Sequence, residues 1–238
     1  MKKPFEGAIR DWKFIAVFSI LSLIFLLLEL AYQLYFAGLP DVGIAMVRGF
    51  ALAGATFIAL SLFTSIIFKF YPLHARHWPI RRGLGVVGVL FATMHIISVY
   101  NFYFGWDVLK ALTPFNPIEN PRIFGLIAYS ILFILFLTST DWAIEKLKAP
   151  RWKMLHRLVY FSFWALVAHF MLINPVAIME PPGYLLIGIT LLTLAGELYW
   201  FVKIASRNSF RGLASIVGFT LILLYLALGY LLYVTYLG

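Results

Sequence analysis

The stretch RWKMLHRLVYFSFWALVAHFML, residues 151–172, decides the fold class of this chain. It is apolar over a length that crosses a bilayer core of about 30 Å as a helix, since a helix rises about 1.5 Å per residue. It nevertheless contains two histidines, His156 and His169. Polar rings inside a membrane are costly and are usually functional. The stretch therefore predicts a transmembrane helix that contributes to a functional site.

The composition supports a membrane protein along the whole chain. Of its 238 residues, 63% are hydrophobic and 12% are charged, with a mean hydropathy of +0.92. A soluble domain is about 45–50% apolar. The chain has no cysteine, which excludes disulfides, thiolate haem ligands and cysteine-bound iron–sulfur clusters. The first residues lack a short apolar region followed by an A-x-A site, so we expect no cleaved signal peptide.

Seven apolar spans, punctuated by glycine and proline, predict an all-α integral membrane protein with a single transmembrane domain over residues 1–238. Runs of about 20 apolar residues favour helices over the short alternating strands of a membrane barrel. No linker and no obvious internal repeat marks a second domain. The spans are about 14–36, 43–68, 83–104, 123–140, 154–174, 183–203 and 213–236.

The basic residues predict the orientation. Sixteen of the 19 lysines and arginines lie in the N-terminal arm and in the loops on the same side, and only Arg48, Lys110 and Arg122 lie on the other side. Cytoplasmic loops of membrane proteins are enriched in lysine and arginine, so we expect a cytoplasmic N-terminus. The net charge of +9 therefore reflects topology and not nucleic-acid binding. This basic face would contact anionic lipid headgroups or dock an acidic flavoprotein.

His95 and His169 are the leading candidates for a cofactor site. His95 lies about 18 Å from the cytoplasmic start of its span, and His169 lies at a similar depth in its own span. The third and fifth spans run parallel. Two neutral imidazoles at one depth suit an axially ligated haem. We interpret the glycines before His95 as room for a flat macrocycle. These are Gly83, Gly85 and Gly88. The alternative is that both histidines are core residues bonded to backbone or hydroxyl groups.

A second candidate site lies nearer the cytoplasm. His156 lies about 20 Å below His169. Arg81 precedes His95 by close to four helical turns, and Arg82 follows it. His156 and Arg81 would frame a second redox group or hold haem propionates. The alternative is a pair of interfacial side chains that extend to the headgroups.

Two stretches resemble the ferric-reductase-like transmembrane domain family. They are RRGLGVVGVLFATMHIISVY (81–100) and FLTSTDWAIEKLKAPRWKMLHRLVYFSFWALVAHF (136–170). The shared pattern is R-R-x-L-G, a histidine before S-x-Y, then T-S-T, and R-W-x-x-L-H-R-L-V-Y with a second histidine thirteen residues on. Within the family, the pattern is most similar to the MsrQ (YedZ) haem-binding membrane subunits of bacterial methionine-sulfoxide reductase systems.

The resemblance implies a six-helix haem-binding bundle, to which the seventh C-terminal span is an addition. It implies electron transfer across the cell inner membrane, from a cytoplasmic flavin reductase or quinol to a periplasmic or extracellular acceptor reductase, a molybdenum enzyme in that subfamily. FMN or quinone would join haem b as cofactor. The chain lacks a G-x-G-x-x-G nucleotide motif after a predicted strand, so we expect an electron-transfer subunit and not a self-sufficient enzyme.

The same resemblance assigns roles to single residues. It makes His95 and His169 the outer axial pair and gives His156 the inner ligand position. Arg81 stands where two-haem relatives have the partner histidine, and arginine is a poor metal ligand because it stays protonated. One haem and two haems therefore both remain open.

A non-redox reading rests on two carboxylates within the spans. Glu29 lies in the first span and Glu197 in the sixth. Intramembrane carboxylates relay protons or bind ions in transporters, so a membrane transporter or scaffold subunit is the alternative function. The chain lacks the pair of broken helices with inverted-repeat symmetry that many transporters show.

Overall fold

The computed structural model describes residues 12–39, 41–207, 220 and 223–230, with the backbone alone at 12–14, 75–76 and 204–207. Within these ranges every regular element is a helix. The chain forms two compact units, Met1–Asp107 and Val108–Gly238. The basic N-terminal arm up to residue 11 lies outside the described residues.

The first unit is built on three long helices. Helix α2 packs against both α1 and α3. Asp41 caps the start of α2 by accepting a bond from the Gly43 amide, and Pro79 lies in the first turn of α3, where a missing amide hydrogen is tolerated. The elements are α1 (Trp12–Tyr35), α2 (Val42–Phe70), a 3-10 turn (Pro72–His77), α3 (Trp78–Val99) and a π-helical turn (Tyr100–Phe104).

Two glycines allow α2 and α3 to approach closely. A Cβ atom added at Gly88 would lie 2.7 Å from Cγ1 of Ile58 and 3.1 Å from the Gly54 carbonyl oxygen. A Cβ atom at Gly54 would lie 3.0 Å from the Ala92 nitrogen. Small residues at membrane helix crossings bring the two backbones into contact in this way. The close crossing fixes the position of the next two turns of α3, which carry His95.

The described part of the second unit includes five helices and a 3-10 turn. Helix α7 packs on α5, and Ser162 of α7 donates a hydrogen bond of 2.8 Å to the Ala128 carbonyl of α5. Residues 223–230 are also helical, and the Trp164 indole donates to the Leu224 carbonyl at 2.9 Å. The elements are α4 (Val108–Leu112), α5 (Arg122–Leu137), α6 (Asp141–His156), α7 (Leu158–Ile173), a 3-10 turn (Pro175–Met179) and α8 (Pro181–Arg207).

Five helical segments among the described residues are long and apolar enough to cross a membrane, and α5 is a shorter apolar helix. The predicted all-α, multi-pass membrane class is confirmed. Of the predicted seventh span, 213–236, residues 220 and 223–230 are helical and the others lie outside the described residues. The five segments are Ile15–Tyr35, Val42–Phe70, Trp78–Phe104, Asp141–Ile173 and Pro181–Lys203.

The segment that leads into α7 is not one straight helix. The backbone leaves helical geometry at Lys148, with φ 63° and ψ 146°, two residues before Pro150. Pro150 has no amide hydrogen to donate to the carbonyl four residues earlier, so a continuous helix would lose a hydrogen bond at this point. A turn at Arg157 then separates α6 from α7. His156 therefore ends one helix, while His169 lies in the next.

Candidate functional site: the membrane histidines

His95 is held by a backbone carbonyl of the neighbouring helix. Its Nδ1 atom lies 2.9 Å from the Val47 carbonyl oxygen of α2. His95 follows Gly88 by two helical turns, and Val47 precedes Gly54 by two turns on the antiparallel partner. The two helices, which are in contact at Gly54 and Gly88, are therefore still close together at His95, whose ring contacts the α2 backbone.

His169 is held in the same way in the second unit. Its Nδ1 atom lies 3.0 Å from the carbonyl oxygen of Pro121, the residue that caps α5. The ring passes directly over Gly125, where an added Cβ atom would lie 3.0 Å from both Cε1 and Nδ1 of His169. Ser162, which bonds Ala128, lies two turns before His169 on the same face of α7. The absent side chain at Gly125 makes room for the ring.

These two contacts decide the tautomer of each ring. A carbonyl oxygen only accepts, so Nδ1 must carry the hydrogen and donate it. An apolar setting favours the neutral ring, whose lone pair then resides on Nε2. Histidines that ligate metals commonly donate their other ring hydrogen to a carbonyl or carboxylate, which fixes the ring and raises its basicity. The donor chemistry of His95 and His169 therefore fits an axial haem ligand.

The arrangement recurs with one spacing. Each histidine follows its carbonyl partner by 48 residues. An arginine comes directly after each partner, Arg48 after Val47 and Arg122 after Pro121. No internal repeat is obvious in the sequence, and on sequence alone these two arginines indicate only topology. The recurrence is visible in the sequence, because Arg48 and Arg122 precede His95 and His169 by the same number of residues.

His156 has a different environment. Its ring stacks on Trp152 with the centroids 3.9 Å apart, and its Nε2 lies 3.2 Å from the Thr138 hydroxyl. That hydroxyl donates to the Ile134 carbonyl at 2.8 Å, so Nε2 of His156 is the donor to Thr138. The Trp152 indole donates to the Thr138 carbonyl at 2.9 Å. These contacts of the His156, Trp152 and Thr138 side chains join α6 to the end of α5. The sequence did not predict this arrangement.

Arg81 and Arg82 lie in the first unit, near the start of α3. The Arg81 guanidinium lies over the Trp78 ring at 4.5 Å, and its carbonyl accepts a bond of 2.9 Å from the Ser61 hydroxyl. Both arginines are half-buried. A cation over an aromatic ring is typical of a side chain at a membrane interface.

The glycines before His95 have another role than the one we expected. A Cβ atom at Gly83 would lie 3.1 Å from the Phe18 ring, and one at Gly85 would lie 3.4 Å from the Ser61 hydroxyl. Gly88 contacts Ile58 and Gly54, as described above. These positions face protein side chains and backbone of α1 and α2. Our interpretation of them as room for a macrocycle was wrong, whereas Gly125, which we did not single out, lies against a site histidine.

The two carboxylates of the alternative function are both hydrogen-bonded within their units. Glu29 is buried and accepts a bond of 2.9 Å from the Gln33 amide one turn along α1. Glu197 accepts a bond of 2.7 Å from the Tyr160 hydroxyl. Among the described residues no group of three or more histidines and carboxylates could hold a metal ion by itself. Both carboxylates thus have the satisfied partners expected of structural buried groups.

Comparison with known proteins finds relatives that are similar to part of this chain. The chain is similar to the protein-methionine-sulfoxide reductase heme-binding subunit MsrQ of Azospira oryzae, with 31% identity over 147 residues, which cover 60% of this chain and 61% of the relative. The MsrQ subunit of Brucella ovis is 33% identical over 93 residues, or 39% of this chain and 41% of the relative. The chain thus matches less than two thirds of the length of these relatives. No solved structure matches the chain.

The family model described as "Ferric reductase like transmembrane component" matches residues 46–167. This range includes the Val47–His95 contact, Arg81 and His156, and it ends two residues before His169. It covers more than half of the chain. The chain therefore belongs to the ferric reductase-like transmembrane family.

Proposed function

We propose that this protein is a membrane electron-transfer subunit that binds haem b through His95 and His169. The observation that carries the proposal is the matched hydrogen bonding of the two rings. Each Nδ1 donates to a backbone carbonyl, at 2.9 Å and 3.0 Å, which places a lone pair on Nε2. The names of the relatives, which are haem-binding subunits, support the same cofactor.

The protein's contribution to such a cofactor is orientation and basicity. Bound haem supplies one-electron exchange between ferric and ferrous iron. The Val47 and Pro121 carbonyls prevent each ring from rotating and keep it in one tautomer, so that little rearrangement accompanies ligation. Gly125 keeps α5 in contact with the His169 ring. Similar ligation in both redox states favours fast electron transfer, because few atoms have to move.

The direction of electron flow and the partners belong to the same proposal. The excess of lysine and arginine on the side of the N-terminal arm supports a cytoplasmic N-terminus. A location in the inner membrane and a single transmembrane domain over residues 1–238 are part of the proposal. A flavin reductase or quinol would then donate electrons on the cytoplasmic side. The relatives' names support a methionine-sulfoxide reductase as the acceptor, on the periplasmic or extracellular side.

The proposed function requires only the haem at His95 and His169. A second haem at His156 with Nε2 ligation would require the ring to leave Thr138, and Arg81 and Arg82 would contribute cations but no ligand. The haem-to-protein ratio measures this directly.

The test uses the purified full-length protein. We expect a Soret band that shifts and sharpens on reduction with dithionite, and a pyridine haemochrome spectrum of b-type haem. Titration with quinol or with a reduced flavin reductase then identifies the donor. A colourless protein that takes up no added haem would refute the proposed function.

A further inference from the structure

Asn120 is a buried polar residue that the haem ligands do not explain. It is 1% exposed and its side chain makes three hydrogen bonds. The amide donates to the carbonyls of Ala111 and Pro114, both at 3.2 Å, and so closes the loop before α5. Its Oδ1 accepts a bond of 2.7 Å from Nε of Arg122. Because these bonds fix the buried Asn120 amide, its Oδ1 holds the Arg122 side chain in one position.

Arg122 is therefore a positioned cation beside His169. It is half-buried, it follows Pro121, and Pro121 provides the carbonyl that holds the His169 ring. The bond to Asn120 uses the Nε side of the guanidinium, and the end that carries Nη1 and Nη2 is an edge that binds carboxylates with two parallel hydrogen bonds.

We propose that Arg122, oriented by Asn120, binds a propionate carboxylate of the haem that His169 ligates. The inference rests on the proposed function, because it needs a haem at His169. A haem has two propionates, and an ionised carboxylate within a membrane needs a cationic partner. Arg122 provides this cation and directly follows Pro121, whose carbonyl orients His169. One short segment, Asn120–Pro121–Arg122, thus serves both the iron ligand and the carboxylate.

The recurrence in the first unit supports the assignment. Arg48 follows Val47 as Arg122 follows Pro121. Topology alone does not explain why two of the three basic residues on this side occupy equivalent positions beside the two ligand-holding carbonyls. The third, Lys110, is exposed on α4 and provides a matched control for charge.

The test compares Arg122→Gln with Lys110→Gln in the full-length protein, expressed without haem and reconstituted with haem or with haem dimethyl ester. We expect Arg122→Gln to weaken haem binding about tenfold or more, the usual effect of losing a hydrogen bond to a charged group. It should also lower the midpoint potential, because a nearby cation favours the ferrous state. Lys110→Gln should change neither quantity, and Arg122→Lys should restore part of the potential.

The dimethyl ester separates carboxylate binding from a structural role, since it has no charged propionate. With the ester, Arg122→Gln and the unaltered protein should bind equally. An equal loss with haem and with the ester would overturn the inference and leave Arg122 as part of the loop structure. Unchanged binding and potential with haem would also overturn it. If the unaltered protein binds neither compound, the proposed function fails along with the inference.

Discussion

The Nδ1 atom of His95 lies 2.9 Å from the carbonyl oxygen of Val47, and this contact places the hydrogen of the neutral ring on Nδ1. Without a carbonyl at this point the ring could carry its hydrogen on either nitrogen. Because the Val47 carbonyl cannot donate a hydrogen bond, the packing of α2 against α3 fixes the tautomer of the His95 ring. His169 reaches the same state through Pro121 in the second unit.

Replacing either ligand is the most direct test. His95→Ala and His169→Ala should each abolish the bis-imidazole haem spectrum, because one axial position loses its ligand in an apolar site. Absorbance and low-temperature electron paramagnetic resonance measure the loss. His74→Ala, in the exposed 3-10 turn, is the control and should leave the spectrum unchanged. A six-coordinate bis-imidazole spectrum in both ligand variants would contradict the pairing.

Gly125→Ala should disturb the His169 ligand without removing it. The new Cβ atom would lie 3.0 Å from two ring atoms, so the ring must move by a few tenths of an ångström or lose its bond to Pro121. We expect about tenfold weaker haem retention, typical of damage to a group that orients a metal ligand, and a shifted resonance spectrum. Gly188→Ala on α8 meets nothing within 4 Å and should have no effect.

The crossing of α2 and α3 predicts unequal effects for two glycines of α3. Gly88→Ala places a Cβ atom 2.7 Å from Ile58 and 3.1 Å from the Gly54 carbonyl, and the backbone contact cannot yield easily. We expect a loss of about 1–3 kcal/mol in the free energy of unfolding. Gly85→Ala meets only the Ser61 hydroxyl at 3.4 Å, and alanine's higher helix propensity should make it neutral or stabilising by up to about 1 kcal/mol. Thermal unfolding in detergent compares them, and equal effects would refute the close crossing.

His156→Ala should spare the haem at His95 and His169. The change removes the stack on Trp152 and the bond to Thr138, so we expect a loss of about 1–2 kcal/mol in the free energy of unfolding. Thr138→Val is the matched variant, because it removes the hydroxyl and leaves the ring stack in place. Loss of the bis-imidazole spectrum in His156→Ala would refute this separation.

The same variant measures the number of haems. Pyridine haemochrome and protein mass give the haem-to-protein ratio. A ratio near two that falls to one in His156→Ala would assign a second haem to His156. A ratio near one in both proteins would show that His156 binds no haem and that its role is to connect α5 and α6.

The helical membrane class and the candidate histidines followed from the sequence because hydropathy and intramembrane polarity are local properties. The roles of the glycines did not, since a glycine pattern does not tell which helix lies opposite. Gly88 and Gly125 cannot be told apart from the sequence, but a Cβ atom added at Gly88 would contact Ile58 and one added at Gly125 would contact His169. The tautomers of the rings depend on carbonyls 48 residues away, which no local pattern records.

Asn120 and Arg122 were missed for a related reason. A polar residue beside proline in a loop is usually solvated, and only the closed loop shows that Asn120 is buried and fully bonded. The contact of His156 with Thr138 was not predicted because Thr138 lies 18 residues earlier, at the end of another helix.

The shortness of α5 has a consequence for the surrounding lipid. Its 16 residues rise about 24 Å, less than the hydrocarbon thickness of about 30 Å. Such hydrophobic mismatch is relieved by local thinning of the bilayer. The polar residues Thr138, Ser139 and Thr140 follow directly, so the deficit falls at the end where α5 meets Trp152 and His156. We therefore expect the hydrocarbon layer to be thinned beside α5, and most strongly in bilayers of longer-chain lipids.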